Sequence, residues 1–510
     1  NGGQAGTTPI SIDAIDEISV VVAPFDVRQG GFTGGGINAV TKGGTNTIKG
    51  TAYIMGNNES LVGRYSWAQK KNEKVGKYDD KTYGFSIGGP IIKDKLFLFV
   101  NGEMSDKSTP SSFNIGSGSK ITDTQAQSFV DELTKKGIIN TGGYGSYNND
   151  KKSNKLFARV DYNINDKHKL VVRYNYVKAS DDNLSRSEKS LTLNNGGYTF
   201  NNNTHGLVAE LNSRFNNVFS NEFRFGYTRV RDSRDPMGGR IPNISISNYI
   251  AGDGLKLTAG SEPYSTANSL DQDIYTITDN FSMFFGKHNV TIGTHNEFYK
   301  FKNIFIRDNT GSYAFSTFDD FVNLKISSYN YSFADPTETG GDKSWGPTFK
   351  SMQLGFYAQD EFRPFDNLKL TLGIRADIPI FVDSPKKNVY FDTLSVARTN
   401  GVSTDQLPKT KILWSPRFGF NWDVFGDKTT QVRGGVGIFT GRVPFVWISN
   451  QFSNTGIEYA RVQLYNPAST IFNADAEKQY YPTPLTASNK TSEIDITSKN
   501  FKYPQVFRIS

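Results

Sequence analysis

The chain has 510 residues, with 57 Lys and Arg against 50 Asp and Glu, four His and no Cys. The missing cysteines exclude a disulfide framework, a thiolate metal site and a cysteine nucleophile, and the net charge of +7 is spread over interspersed acidic and basic residues, a weakly basic surface rather than a nucleic-acid groove. With 25 Tyr, 38 Phe and 49 Gly but five Met, the composition favours strands and turns, and no apolar run approaches the ~18 residues of a membrane helix.

A β-barrel strand would escape that last test, because its sides alternate. No signal peptide begins at Asn1, so the sequence is expected to start partway through a longer protein or to have lost its leader.

The first unusual stretch is Gly30 to Gly44, "GGFTGGGINAVTKGG". Gly34, Gly36 and Ala39 satisfy G-x-G-x-x-A, but the β-branched "INAVTKGG" that follows cannot open the helix a dinucleotide site requires. From about Thr47 onward, period-two alternation recurs. Leu156, Ala158, Val160 and Tyr162 alternate with Phe157, Arg159 and Asp161, and past a turn Leu170, Val172, Tyr174 and Tyr176 alternate with Arg173 and Asn175. The same hairpin pattern returns with Leu207 to Leu211 against Phe223 to Tyr227, Tyr275 to Met283 against Val290 and Ile292, Met352 to Ala358 against Leu368 to Ile374, and Phe418 to Trp422 against Val432 to Ile438.

About thirteen strands are expected, with a fourteenth starting in Phe501 to Ser510. Asp123 to Gly137 reads as a short helix with Asp123 near its cap and Phe129, Val130 and Leu133 on one face, shaping a long loop rather than forming a domain.

Turns inside the hairpins run to about four to eight residues, whereas the links between hairpins take roughly thirty to fifty, rich in Asn, Ser, Gly, Tyr and Asp. Short turns at one end, long loops at the other and aromatic residues near strand ends favour a transmembrane barrel over a β-sandwich or propeller. Ser86 in "GFSIG" lies within an alternating strand and is a polar-face residue, not a nucleophile at a strand-to-helix elbow. His295 follows His288 at position i+7, which puts them on opposite faces of a strand, so no metal site is expected; no catalytic cluster and no cofactor are expected either.

The stretch Ile10 to Lys49, with acidic "IDAIDEISVV", a glycine turn and "GGGINAVTKGG" leading into the first strand, resembles the end of the plug domain of TonB-dependent outer-membrane receptors. "GFSIGGPI" at Gly84 to Ile91 and "GRVPFVWISNQFSNTG" at Gly441 to Gly456 look like the Oar-like subgroup. The resemblance implies an all-β fold: a transmembrane antiparallel β-barrel of 22 strands in the family, about 14 of them here, with the C-terminal remainder of a plug inside it. Residues 1–46 would be plug and 47–510 an incomplete barrel with long extracellular loops, in the outer membrane of a Gram-negative bacterium. The TonB box has no counterpart in the sequence.

On that reading Arg28, Gly30, Gly31, Gly34, Gly35, Gly36, Asn38, Thr41 and Lys42 belong to the plug and lumen. The glycines would let backbone approach the wall or take positive φ, and Arg28 and Lys42 would pair with Glu103, Glu210 or Glu361. Tyr65, Trp67, Trp345 and Trp447 are candidates for substrate contact, or alternatively for anchoring at the membrane interface. The resemblance implies an active importer whose partners are TonB with its inner-membrane energising complex, outer-membrane lipid, an extracellular substrate and a possible surface lipoprotein, with no nucleic acid and no covalent chemistry. A non-energised channel or adhesin and a soluble carbohydrate-binding β-protein are the alternatives.

Overall fold

The structure is a computed structural model, and it describes residues 5–22, 24–66, 71–72, 76–486 and 493–510. Its twenty-four strands are numbered here in chain order. A hairpin of β1 (Ile15–Val22) and β2 (Gly35–Thr41) comes first, and β4 (Tyr65–Ser66) pairs with β5 (Lys71–Asn72) in a small loop hairpin.

One antiparallel sheet of fourteen strands dominates the molecule. In chain order it comprises β3 (Lys49–Asn58), β6 (Asp79–Ile92), β7 (Leu96–Pro110), β8 (Asn148–Asn165), β9 (His168–Asn183), β11 (Tyr198–Arg214) and β12 (Phe219–Pro236). It continues through β15 (Asn268–Phe285), β16 (His288–Phe305), β19 (Thr348–Phe365), β20 (Leu368–Phe381), β21 (Leu413–Asp423), β22 (Gln431–Thr440) and β24 (Gln505–Ile509). Each strand pairs with the next, and β3 and β24 form the edges, so the sheet is not closed among the described residues.

The sequence pattern explains both faces. Directly opposed residues of an antiparallel pair share a face, and the register sets Leu207 beside Tyr227 and Tyr227 beside Tyr275, with Ala209, Phe225 and Ile277 one step lower. Next above the row of Leu207, Tyr227 and Tyr275 the same outward face carries His205, Arg229 and Asp273, followed by Asn203, Arg231 and Asp271. An apolar band, broken by the hydrogen-bonded pair Asn221 and Asp279, therefore gives way to successive charged rows above it. On β12 the band runs from Phe219 to Tyr227, close to the ~9–11 residues that cross a hydrocarbon core on a tilted strand. An 18-residue strand such as β12 is about 60 Å long, so its loop-proximal half stands outside the membrane.

Exposed aromatic residues ring the short turns: Phe219, Phe285, Phe365 and Trp422 each lie within a few residues of one. Of the turns, 215–218 and 424–430 have the expected four to eight residues, whereas 93–95, 166–167, 286–287 and 366–367 are tighter, three of them two-residue hairpin links. The opposite connections vary more widely than expected, from 184–197 to 441–504.

Those connections are not separate loops. Six short strands from four of them form a second sheet in the order β10 (Ser190–Thr192), β14 (Lys256–Ala259), β13 (Asn243–Asn248), β17 (Ser312–Thr317), β18 (Ser328–Ala334) and β23 (Tyr459–Tyr465). Helix α1 (Asp123–Lys135), with Thr122 rather than Asp123 as N-cap in a full capping box, packs Phe129 and Leu133 into the same core as Leu257, Phe315, Tyr329 and Val462. Phe321 of the short helix α2 (Phe318–Val322) completes it. This is the largest buried hydrophobic cluster among the described residues, and it lies in the loop layer. That location follows from the membrane sheet itself, whose apolar side faces lipid and leaves the loops to build their own core.

Candidate functional site: the amino-terminal segment on the inner wall

The inner face of the large sheet is the one covered by residues 5–46. Short and small residues along it make room for that backbone. Gly419 and Gly435 oppose each other on β21 and β22, and a Cβ on Gly435 would come within 2.6 Å of the Phe25 ring. A Cβ on Gly373 would stand 2.4 Å from a Val27 methyl. Phe25 and Phe32 both reach the buried Phe439, with ring centroids 6.1 and 6.5 Å apart.

Two buried arginines fix the backbone of this segment. Arg417 Nη1 lies 3.2, 2.8 and 2.7 Å from the carbonyl oxygens of Pro24, Asp26 and Gln29, and its guanidinium sits over the Phe439 ring at 4.5 Å. Arg375 Nη1 donates to the Val27 carbonyl at 3.2 Å while its Nε is held by Asp377, and Gln359 Oε1 accepts from Val27 N at 2.9 Å. Farther up the wall Arg442 bridges to buried Glu297 at 2.5 Å, and Gly31 forms a parallel β-bridge with Gly441. Gly31 has φ +80°, and a side chain there would also meet Arg442 at 2.7 Å; a Cβ on Gly30 would meet Arg375 at 2.6 Å.

The expected close approach therefore holds at Gly30 and Gly31. It does not hold at Gly34 or Gly36, where an added Cβ would find nothing within 4 Å; these two, with Gly35 and the exposed Asn38, lie at and in β2. Ile18, Val20, Ile37 and Val40 of the β1–β2 hairpin are exposed. Thr41 meets the wall through Arg159, whose Nη1 donates to its carbonyl at 2.7 Å. Lys42 pairs with Asp13 at 3.2 Å and Arg28 with Asp26 at 2.5 Å.

The expected partners of these two cations are a correction: Glu103 is held by Lys155, Tyr53 and Ser11, Glu210 by Arg173 and Arg224, and Glu361 lies 3.8 Å from Lys369. A carboxylate two residues away, or across one hairpin, reaches the cation before a wall residue can. The Asp26 hydrogen bond holds the Arg28 pKa above its ordinary value against burial. Burial works against the Asp13 carboxylate, but hydrogen bonds from Ser86, Thr51 and Lys42 outweigh it and keep its pKa below the usual range. Ser86 is thus the polar inner-face residue expected, 2.7 Å from Thr51 Oγ1.

The aromatic candidates scatter. Trp67 lies outside the described residues, and Tyr65 opens the short strand β4. Trp345 is half-buried edge-on against Tyr459, 5.6 Å between centroids, and its carbonyl accepts from the Tyr459 hydroxyl. Trp447, on α3 (Phe445–Ser453), is exposed and stands 6.5 Å from Phe501. No group of three or more His, Asp or Glu able to hold a metal occurs among the described residues.

A sheet with an outward apolar band, a polar inner face bearing a docked amino-terminal segment, short turns at one end and long loops at the other defines a membrane-spanning β-barrel protein. The family model described as outer membrane beta barrel domain matches residues 40–119 and 119–509, and the chain belongs to that family. It is accordingly an outer-membrane protein of a Gram-negative bacterium.

The TonB-dependent transporter Oar of Myxococcus xanthus is 28% identical over 97 residues, 18% of this chain and 9% of the relative. The outer membrane transporter YddB of Escherichia coli superposes with a TM-score of 0.58 at 13% identity, covering 88% of this chain and 50% of that one, a likeness of fold. The siderophore receptor PirA of Acinetobacter baumannii matches with a TM-score of 0.48 at 15% identity, over 89% of this chain and 53% of that one. The chain thus spans about half the length of these solved structures and a small part of the curated relative.

Proposed function

We propose that residues 1–46 are the end of a plug, that 47–510 are barrel wall and loops, and that the whole protein is a TonB-dependent importer. The observation that carries this reading is the clamp of Arg375 and Arg417 on the carbonyls of residues 24–29: a separable backbone segment, held by hydrogen bonds to the inner wall, is what a mechanical pull can displace. Substrate enters from the loop side, TonB and its inner-membrane complex supply the pull, and lipid contacts the apolar band. The loop module offers a seat for a surface lipoprotein. The protein makes and breaks no covalent bond.

The likeness to Oar, a TonB-dependent transporter, supports the same reading. The test uses the complete chain with its native N-terminus, extracted in detergent, and measures binding to the purified periplasmic domain of TonB. Binding that disappears when the N-terminal segment is deleted is the expected result. A second reading, a non-energised adhesin, is favoured by the loop module having its own hydrophobic core; absence of TonB binding would select it.

A further inference from the structure

A cavity of about 920 Å³ lies between the loop-proximal ends of β9, β11 and β12 and the underside of the six-stranded sheet. It is well above the row of Leu207, Tyr227 and Tyr275 where the lipid-facing band ends, so its walls are outside the membrane.

Four charged side chains line it, and three are committed. Arg186 donates to the carbonyls of Thr192 and Gly145 and to the side-chain oxygens of Asn114 and Asn194, at 3.0, 2.9, 3.0 and 2.6 Å. Asp182 accepts from the hydroxyls of Tyr147 and Thr199 at 2.9 and 2.7 Å. Glu262 accepts from Ser265 Oγ and Tyr264 N at 2.6 and 3.1 Å.

Arg234 differs. Its guanidinium lies over the Tyr198 ring at 5.1 Å, its hydrogen bond among the described residues is a long one of 3.5 Å from Nη1 to Ser265, and its buried Nε has no acceptor. No carboxylate lies within ion-pair distance of it among the described residues. A guanidinium has five donors in a planar fork, and its bidentate complements are a carboxylate or a phosphate. Phe113 and Tyr264, both substantially exposed, line the same cavity and offer apolar faces beside that fork.

We infer that this cavity is a binding site for a carboxylate-bearing ligand with a flat apolar body, its carboxylate on Arg234 and its body against Phe113 and Tyr264. The two carboxylates in the wall, both turned to their own donors, disfavour ligands of higher negative charge. The inference uses the proposed receptor function only for the cavity's extracellular position, and it does not require energised transport.

The test titrates the complete protein in detergent with 2-naphthoate and with its neutral counterpart 2-naphthamide, following probe fluorescence anisotropy. The expected result is that the unmodified protein binds naphthoate at least about tenfold more tightly than the amide, as loss of a charge-assisted pair implies. Arg234→Gln is expected to bring naphthoate down to the affinity of the amide, and Tyr264→Ala to weaken both. Equal affinity for acid and amide in the unmodified protein would overturn the assignment, whatever the variants do. So would tighter binding of 2-naphthyl phosphate than of naphthoate, or an unchanged naphthoate affinity in folded Arg234→Gln. Because the titration contains no TonB, a failure here is distinct from failure of the transport reading.

Discussion

Arg417 Nη1 lies 2.7 Å from the carbonyl oxygen of Gln29, a contact between residues 388 positions apart that ties the β21 wall to the amino-terminal segment. The same nitrogen also faces Pro24 and Asp26, so the two N–H groups of one side-chain nitrogen, on a residue 3% exposed, are shared among three backbone acceptors. Shortening it leaves the Pro24 and Gln29 carbonyls without this donor, at about 1–3 kcal/mol each before water enters, while the Asp26 carbonyl keeps the bond from Gln29 N at 3.2 Å. Arg417→Ala in the complete protein is expected to raise amide exchange across residues 24–33 and to increase leakage of a small hydrophilic dye through proteoliposomes. Arg417→Lys, which keeps one donor group, should fall between. Exchange in Arg417→Ala equal to the parent's would remove the clamp from the account.

The glycines in the opening stretch separate by geometry. Gly31→Val forces a β-branched residue to φ +80° and drives it into Arg442, and should cost about 1–3 kcal/mol of local stability. Gly34→Ala meets open space and should be close to neutral. Thermal unfolding and proteolysis of the 24–44 segment in the two variants read the difference, and equal effects would mean that glycine density rather than position matters.

The turn-proximal halves of the strands were legible because alternation is a local property: Leu207 and Leu211 announce an outward apolar face without reference to any partner. The six-stranded loop sheet was not. Ser190 pairs with Lys256, and Asn330 with Gln463, through strands of three to seven residues whose partners lie in other loops, and nothing in so short a run names its partner. The clamp was half legible. The segment was placed on the wall by its glycines, but neither Arg375 nor Arg417 was singled out. The available signal was the repeated glycine at inner-face positions, Gly373, Gly419 and Gly435, which marks where another backbone approaches a strand. Arg28 and Lys42 misled because long side chains have local options that a face assignment ignores.

That loop sheet makes the loops a cooperative unit. Phe129 of α1 is fully buried and stacks edge-on against Phe321 at 5.7 Å, joining two loops. Phe129→Ala should destabilise the loop module by about 3–5 kcal/mol. The buried residues of that core lie on the loop elements and not on wall strands, so the wall should keep its gel mobility before heating in detergent. Phe356→Ala on the lipid face serves as the comparison and should leave loop proteolysis unchanged. If Phe129→Ala abolishes the folded barrel as well, module and wall are one folding unit and the separation drawn above fails.

The Asp13–Lys42 pair gives the docking of the segment a pH dependence whose sign is fixed. The Asp13 carboxylate has a lower pKa in the folded protein than in the unfolded chain, because bonds from Ser86, Thr51 and Lys42 exceed the cost of burial. Such a group contributes stability that is fully present above its unfolded pKa, about 3.9, and is lost as pH falls through the lower folded value. Amide protection of residues 13–42 should therefore be level from neutral pH to about pH 5 and decline below about pH 4. Asp13→Asn keeps the shape and removes the titrating group, so it should show weaker protection at neutral pH and a flatter decline on acidification. An identical acid profile in Asp13→Asn would transfer the effect to other carboxylates at the interface, with Asp26 beside Arg28 the next to substitute.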